Sequence, residues 1–233
     1  MLVSGEGTVL TIKETIKKWN SIAETYDEWF CKGSGVWIFE HEKALLKQTM
    51  VTCKKTEVLE VGCGSGLFTS FLLNEGFEVF GLDFSVGMVK KAKDKDVEVV
   101  VGDAHHLPFK AKTFNVVLLV TTLEFLKEEP ILDEICRVLR VGGYLVLAVH
   151  NKFNPWNFYR KFRAFFKKGS VYKMIKYYSF SSLKKILRKK SFSVSYVDSC
   201  VFLPFSPKLD FLMKRVGLKC LGSILFVRAE LQS

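Results

Sequence analysis

The 233-residue chain contains no apolar run near the roughly 18 residues that a membrane-spanning helix requires. Its first residues, Met1–Thr11, lack the basic-then-apolar order of a secretory signal. The six cysteines, at positions 31, 53, 63, 136, 200 and 220, form no C-x-x-C pair and no metal-ligand spacing. They read as reduced packing thiols of a cytoplasmic protein, and no metal site is expected. There is no internal repeat, no low-complexity tract and no G-x-x-x-x-G-K-S/T loop for a triphosphate. Acidic residues are missing from one long stretch: residues 151–197 hold 13 Lys or Arg and no Asp or Glu. The whole chain carries +11, so the remainder sits at −2. A basic surface this localised points to an anionic partner.

What is present is a large apolar fraction, 48%, enough for one domain with an elaboration. Trp19, Ile22, Ala23, Tyr26 and Phe30 recur at helical spacing and predict a helix over 11–30, with a second over 38–50. Strand and helix then alternate. Strands are expected at 58–61, 77–82, 97–101, 114–120 and 144–149, with helices at 66–74, 86–93 and 131–139 and a turn at Gly142-Gly143. Such alternation argues a parallel sheet covered on both faces. Beyond it, a helix over 179–190, a strand over 192–202, a helix over 206–216 and a strand over 221–230 complete the pattern. The two late strands lack βαβ spacing and read as an antiparallel pair at the sheet edge. Residues 151–178 fit no strand and read as an inserted cap.

The run Glu57-Val58-Leu59-Glu60-Val61-Gly62-Cys63-Gly64-Ser65-Gly66 takes a strand into three glycines at alternate positions. Glycine lets backbone turn sharply and approach a ligand closely. A dinucleotide fingerprint would put its third glycine one residue later, where Leu67 stands. Glu60, two residues ahead of the first glycine, would repel a pyrophosphate but suit a cationic ligand. S-adenosylmethionine is such a ligand: it carries adenine, ribose, a sulfonium and an α-amino group. Asp83, at the end of the second strand, would accept hydrogen bonds from both ribose hydroxyls. Asp103 and the Ala104 N–H would meet the adenine edge, and Phe84 and Met88 would sandwich its ring.

Taken in order, Glu60-x-Gly62-x-Gly64-x-Gly66, Gly81-Leu82-Asp83-Phe84-Ser85, Gly102-Asp103-Ala104, Leu107-Pro108-Phe109 and Arg137-Val138-Leu139-Arg140-x-Gly142-Gly143 resemble a class I S-adenosylmethionine-dependent methyltransferase. The likeness is closest to the small-molecule branch that includes the quinone C-methyltransferases, the methyltransferase type 11 group. It covers roughly residues 15–150 and, more loosely, 179–230. The resemblance implies an α/β fold: a Rossmann-like, seven-stranded, mostly parallel sheet with helices on both faces, the last strand antiparallel, and here a helical cap insertion. It places cofactor contacts on Glu60, Gly62, Gly64, Gly66, Asp83, Asp103 and Ala104. Cys63 sits within the same loop. Tyr26 resembles the family's N-terminal Tyr-Asp pair, which covers the methionine end. Thr121 and Thr122 stand where the family places methyl transfer. His105 replaces an acid found in many relatives, and Val141 a proline.

The resulting division is an N-terminal pair of helices over the cofactor (1–50), a core (51–150), the basic aromatic cap (151–178) and a C-terminal helix with edge strands (179–233). The expected activity is methyl transfer to a small, apolar or anionic acceptor, with S-adenosylhomocysteine as product. An RNA methyltransferase using 151–190 and a non-catalytic partner protein of the same fold are the alternatives. No catalytic residue is assigned: Glu124, His150 and His41 are the candidate bases, His150 first, and His105 and His106 read as solvent-facing. In the cap, Asn154 and Pro155 predict a helix start. Phe158, Phe162, Phe165 and Phe166 form one stripe, which reads as the inner face of a surface helix packed on the domain with its basic face solvated; the resemblance implies that an insertion here shapes the acceptor pocket, where such a face would suit an apolar or aromatic acceptor. The cations beside them also fit peripheral contact with an anionic membrane through 152–190, and less well an RNA backbone.

Overall fold

The computed structural model describes residues 12–53, 56–167, 170–202, 210, 212–213, 215, 217 and 219–232. Helices α1 (Ile12–Ile22) and α2 (Ser34–Met50) come first. Then follow β1 (Glu57–Val61), α3 (Leu67–Asn74), β2 (Glu78–Asp83), α4 (Val86–Lys93), β3 (Val99–Val101), β4 (Phe114–Val120), α5 (Glu128–Val138) and β5 (Leu139–His150). The chain closes with α6 (Pro155–Phe166), α7 (Phe180–Lys189), β6 (Phe192–Cys200) and β7 (Ile224–Leu231). The seven strands form one sheet in the order β3-β2-β1-β4-β5-β7-β6. Strands β1 to β5 pair in parallel, and β7 runs antiparallel between β5 and β6. The expected fold class holds, edge pair included.

The period-two alternation of strands explains the two-sided core. On β4, Val117 and Leu119 join a cluster with Leu59, Leu147, Ile131 and Leu183. Val116, Leu118 and Val120 join the opposite cluster with Val58, Leu46, Leu72 and Phe226. Every residue of β4 except Asn115 is buried, which is why its sequence reads as one apolar run. Local signals set the helix ends. Ser85 caps α4 by accepting from the Met88 N–H at 3.2 Å, and Ser179 and Ser182 form a reciprocal capping box on α7.

Two expected elements need correction. The helix expected over 11–30 stops at Ile22; a turn follows, then a short 3-10 stretch at Asp27–Cys31. The aromatic spacing continues across the break because those rings pack on one another, Trp19 on Tyr26 at 6.1 Å and Tyr26 on Phe30 at 5.4 Å. Gly142-Gly143 does not end an element. Leu139 pairs with Phe114 and Tyr144 with Val116, so four residues of β5 oppose the single Asn115 of β4 and the glycines lie in a bulge within one long strand. Most of the helix expected over 206–216 lies outside the described residues.

The cap helix is turned opposite to expectation. Phe158, Phe162, Phe165 and Phe166 are 72%, 58%, 76% and 74% exposed, whereas Asn157 and Ala164 face inward. Buried amides decide this orientation. Asn157 Nδ2 donates to the Asn151 and Ser223 carbonyls at 2.9 and 2.6 Å. Asn154 Nδ2 donates to the Phe202 and Leu221 carbonyls at 3.1 and 2.9 Å, and its Oδ1 caps α6. Carbonyls at the strand ends need donors once buried, and Asn154 and Asn157 supply them from the start of α6. Replacing Asn157 with Ala takes the amide donor from the Asn151 carbonyl and the acceptor from the Ser223 hydroxyl, while the Ser223 carbonyl keeps the Asn151 N–H. The expected loss is about 1–3 kcal/mol in urea unfolding, with amide exchange of α6 accelerated ahead of the sheet.

Candidate active site

The parallel strands end together where the order reverses between β1 and β4, the crevice in which open α/β sheets take ligands. Gly62 follows β1, Asp83 ends β2, Thr121 follows β4 and His150 ends β5. Two joined cavities open there, of about 340 and 350 Å³. Trp19, Tyr26, Gly62, Gly64, Thr121 and Phe125 border both.

The glycine turn is built by close approach. Gly62 has φ +72°, and a Cβ there would lie 2.3 Å from the Thr122 side chain. Thr122 Oγ1 in turn donates to the Gly62 carbonyl at 3.2 Å. Glu60 is 1% exposed and borders the first cavity; among the described residues its carboxyl hydrogen-bonds only with Thr69. Burial pushes its pKa up to about 8, against the pull of the Thr69 hydroxyl. Asp83 accepts from the Gly64 N–H at 2.9 Å and the Ser85 N–H at 2.8 Å, so it locks the glycine turn to the start of α4. Its burial raises the pKa, and these backbone donors oppose the rise.

The second cavity is walled by Leu82, Asp83, Phe84, Met88, Asp103, Ala104 and His105. His105 is not solvent-facing. Its backbone N–H and ring Nδ1 both meet Asp103 Oδ1, at 2.9 and 2.8 Å. Burial alone would raise the pKa of Asp103, but His105 outweighs it and holds the carboxyl below the usual range. His106 is exposed.

The first cavity continues past Glu60 into a chamber with walls that include Trp29, Phe30, Ile38, Ile175 and Ile224. Polar groups converge in it: Glu42 from α2, His150 from β5, Arg160 from α6 and Tyr172. The Arg160 guanidinium donates to the Tyr172 hydroxyl and lies 4.1 Å from that ring's centroid. Burial pushes the Glu42 carboxyl up to about 7, with Arg160 opposing and Glu124 reinforcing the rise. Thr121 and Val201, both bordering this cavity, hold φ values of +47° and +59°. Such values are unusual for β-branched residues and cluster where sites are built.

The family described as methyltransferase domain matches residues 59–147. An uncharacterized protein of Methanocaldococcus jannaschii is 32% identical over 169 residues, 72% of this chain and 68% of that protein. The chain belongs to the class I S-adenosylmethionine-dependent methyltransferases. The demethylmenaquinone methyltransferase of Renibacterium salmoninarum is 36% identical over 104 residues, 42% of this chain and 44% of that enzyme. The match thus spans under half the length of that relative. A possible histamine N-methyltransferase of Thermotoga maritima shares the fold, with a TM-score of 0.74 at 23% identity over 93% of this chain and 99% of that one.

Of the residues expected at the methyltransferase's cofactor site, Tyr26, Glu60, Gly62, Cys63, Gly64, Asp83, Phe84, Met88, Asp103, Ala104 and Thr121 border the cavities. Gly66 does not. A Cβ there would lie 3.1 Å from Ala92 and Val97, so Gly66 serves the packing of the turn on α4. Among the candidate bases, His41 is drawn onto its own helix, with Nδ1 at 2.8 Å from the Trp37 carbonyl. His150 and Glu124 do meet. Sequence reasoning missed Glu42, Arg160 as an inward residue, and two ties that fasten the N-terminal segment over the site. Asn20 Oδ1 accepts from Ser85 Oγ and the Gly87 N–H at 2.7 and 2.8 Å. Asp27 accepts from Ser65 Oγ at 2.5 Å and pairs with Lys95 at 2.7 Å. Only Tyr26-Asp27 gave any signal, through the family's N-terminal pair. Gly62→Ala combines a positive φ with the Thr122 clash. It is expected to weaken S-adenosylhomocysteine binding at least about tenfold, while circular dichroism stays native.

Proposed function

We propose that this methyltransferase modifies a small, apolar or anionic acceptor held in the chamber beneath residues 151–178. One observation supports it above others: the chamber joins the cofactor cavity, is mostly apolar, and holds one fixed cation, Arg160. When bound, S-adenosylmethionine supplies a methyl group already activated on a sulfonium.

The residues present fit that cofactor. Glu60 is a buried carboxyl awaiting a cationic partner, the role of the α-amino group. Gly62, Cys63 and Gly64 bring backbone against the methionine portion, with Tyr26 and Thr121 across from them. Asp83 keeps lone pairs for the ribose hydroxyls beyond its two backbone donors. Asp103 and the Ala104 N–H take the adenine edge, between Phe84 and Met88. The chain's remaining task is to align the acceptor and exclude water, which the N-terminal segment and the cap do by closing over the strand ends.

The protein works in the cytoplasm in this reading, with peripheral contact at an anionic membrane through 152–190. Inverted amphipathy of α6 favours that contact: four exposed rings stand beside exposed Lys161, Arg163 and Lys167. No helix among the described residues is long and apolar enough to cross a membrane, so contact would be at the surface.

Two outcomes test the proposal. Burial raises the Glu60 pKa to about 8, and an ammonium partner would lower it again. Binding therefore takes the ionised form and releases a proton below that pKa. Calorimetry in buffers of differing ionisation enthalpy should show proton release, with affinity rising from about pH 6 to about pH 7.5 and flat for Glu60→Gln. In flotation, the protein should rise with phosphatidylglycerol vesicles, and replacing Phe158, Phe162, Phe165 and Phe166 with Ser should abolish this. Retention of tRNA on filters, without flotation, would favour the RNA reading instead.

A further inference from the structure

At the floor of the acceptor chamber, His150 and Glu124 form a pair that the cofactor site does not use. Glu124 is fully buried, in the short 3-10 turn after β4. Its Oε1 accepts from the His150 backbone N–H at 2.8 Å and meets the His150 ring Nδ1 at 2.9 Å. The backbone bond fixes the carboxyl, and the carboxyl fixes the ring. A carboxyl oxygen that already accepts one N–H favours the tautomer with a second N–H on Nδ1. Nε2 then carries a lone pair. It has no hydrogen-bond partner among the described residues, and the ring borders the chamber. Tyr172 and Tyr177 stand edge-on to it, at centroid distances of 6.3 and 5.9 Å, and hold its plane.

We propose that His150 is the general base of this methyltransferase, positioned by Glu124, and that the acceptor group is an ionisable hydroxyl on a ring, a phenol or enol. The proposal rests on the small-acceptor reading above. His150 Nε2 takes the hydroxyl proton. The oxygen pair so freed forms the bond to the methyl carbon as the carbon–sulfur bond breaks, leaving a neutral thioether, and the proton passes from His150 to solvent. Arg160, in the same chamber, is the fixed cation that stabilises the charge growing on that oxygen. An ammonium acceptor would meet Arg160 as a like charge. Glu42, the carboxyl that converges there with Arg160, is raised by burial toward its neutral form and so offers an ammonium a weakened counter-charge. Burial lowers the His150 pKa, with the Glu124 bond opposing, which favours the uncharged ring that can accept a proton.

The test uses the full chain. Long-range proton–nitrogen correlation of ¹⁵N-histidine-labelled protein with S-adenosylhomocysteine reads the ring directly, and H150Q assigns its signals by their loss. A neutral ring with its proton on Nδ1 near pH 7 is expected. A cationic ring, or a proton on Nε2, overturns the proposal whatever the acceptor. Methyl transfer from labelled S-adenosylmethionine is then measured to 4-nitrophenol, 2-naphthol and 7-hydroxycoumarin, and to 4-nitroaniline and 2-naphthylamine. Transfer to the phenols is expected, with H150Q slowed about a hundredfold or more toward the weakly acidic 2-naphthol, less toward the more acidic 4-nitrophenol and 7-hydroxycoumarin, and recovering as pH ionises the phenol itself. E124Q should keep the fold but move the ring proton and shift the pH profile, which a purely structural carboxyl would not. Transfer to the amines alone, an unaltered rate in H150Q, or no transfer to any phenol overturns it. In each of those cases tight S-adenosylhomocysteine binding would leave the cofactor reading standing, whereas absent binding would end both.

Discussion

Everything at this site depends on burying carboxyl groups where the parallel strands end. Glu60 and Asp83 lie almost wholly inside the protein, and the backbone around them is arranged to tolerate it. Asp83 is held by two N–H groups and Glu60 by one hydroxyl. Removing a charge from water is costly unless a partner replaces the solvent. Asp83 has partners of its own. Glu60 has fewer, and its burial outweighs the Thr69 hydroxyl and raises its pKa. A cationic ligand is what such a group lacks, and a phosphate would make the deficit worse. The same constraint explains Gly62: the turn must press against Thr122 to leave room above it, and no side chain fits there.

A second buried set governs the other half of the crevice. Asn154 and Asn157 satisfy carbonyls at the strand ends and thereby choose which side of α6 faces the protein. Arg160, one turn on from Asn157, is carried into the chamber by that choice, and the phenylalanines are carried out. One set of amide bonds thus links the charge inside the acceptor chamber to the apolar surface outside it. In this account the cap is both the roof over the acceptor and the face the protein turns toward its surroundings.

Local chemistry was legible in the sequence and long-range chemistry was not. The bounds of β4 and α4 follow from an uninterrupted apolar run and a serine cap, and both agree with the structure. That the glycine loop and Asp83 border the crevice was readable because strand–turn–helix geometry sets their spacing, and Asp103 reaches it from the end of β3. The orientation of α6 was misread because the apolar stripe was weighed and the amides were not. A ring stripe says that a face is apolar, not that it is covered. Glu42 and Asn20 carry no local signature, and Asp27 only that of the Tyr-Asp pair: each acts on a residue tens of positions away, and only folding brings the partners together. The break after Ile22 was hidden because rings on both sides of it still pack as if one helix ran through.

The central claim is that the buried acid ahead of the glycine turn selects a positively charged donor. Its most direct measurement is a crystal structure of the full chain after exposure to equal millimolar concentrations of S-adenosylhomocysteine and NADH. Adenosylhomocysteine is expected in the joined cavities, its amino group against Glu60 and its ribose on Asp83. NADH in that position, with its pyrophosphate over the glycines, would contradict it.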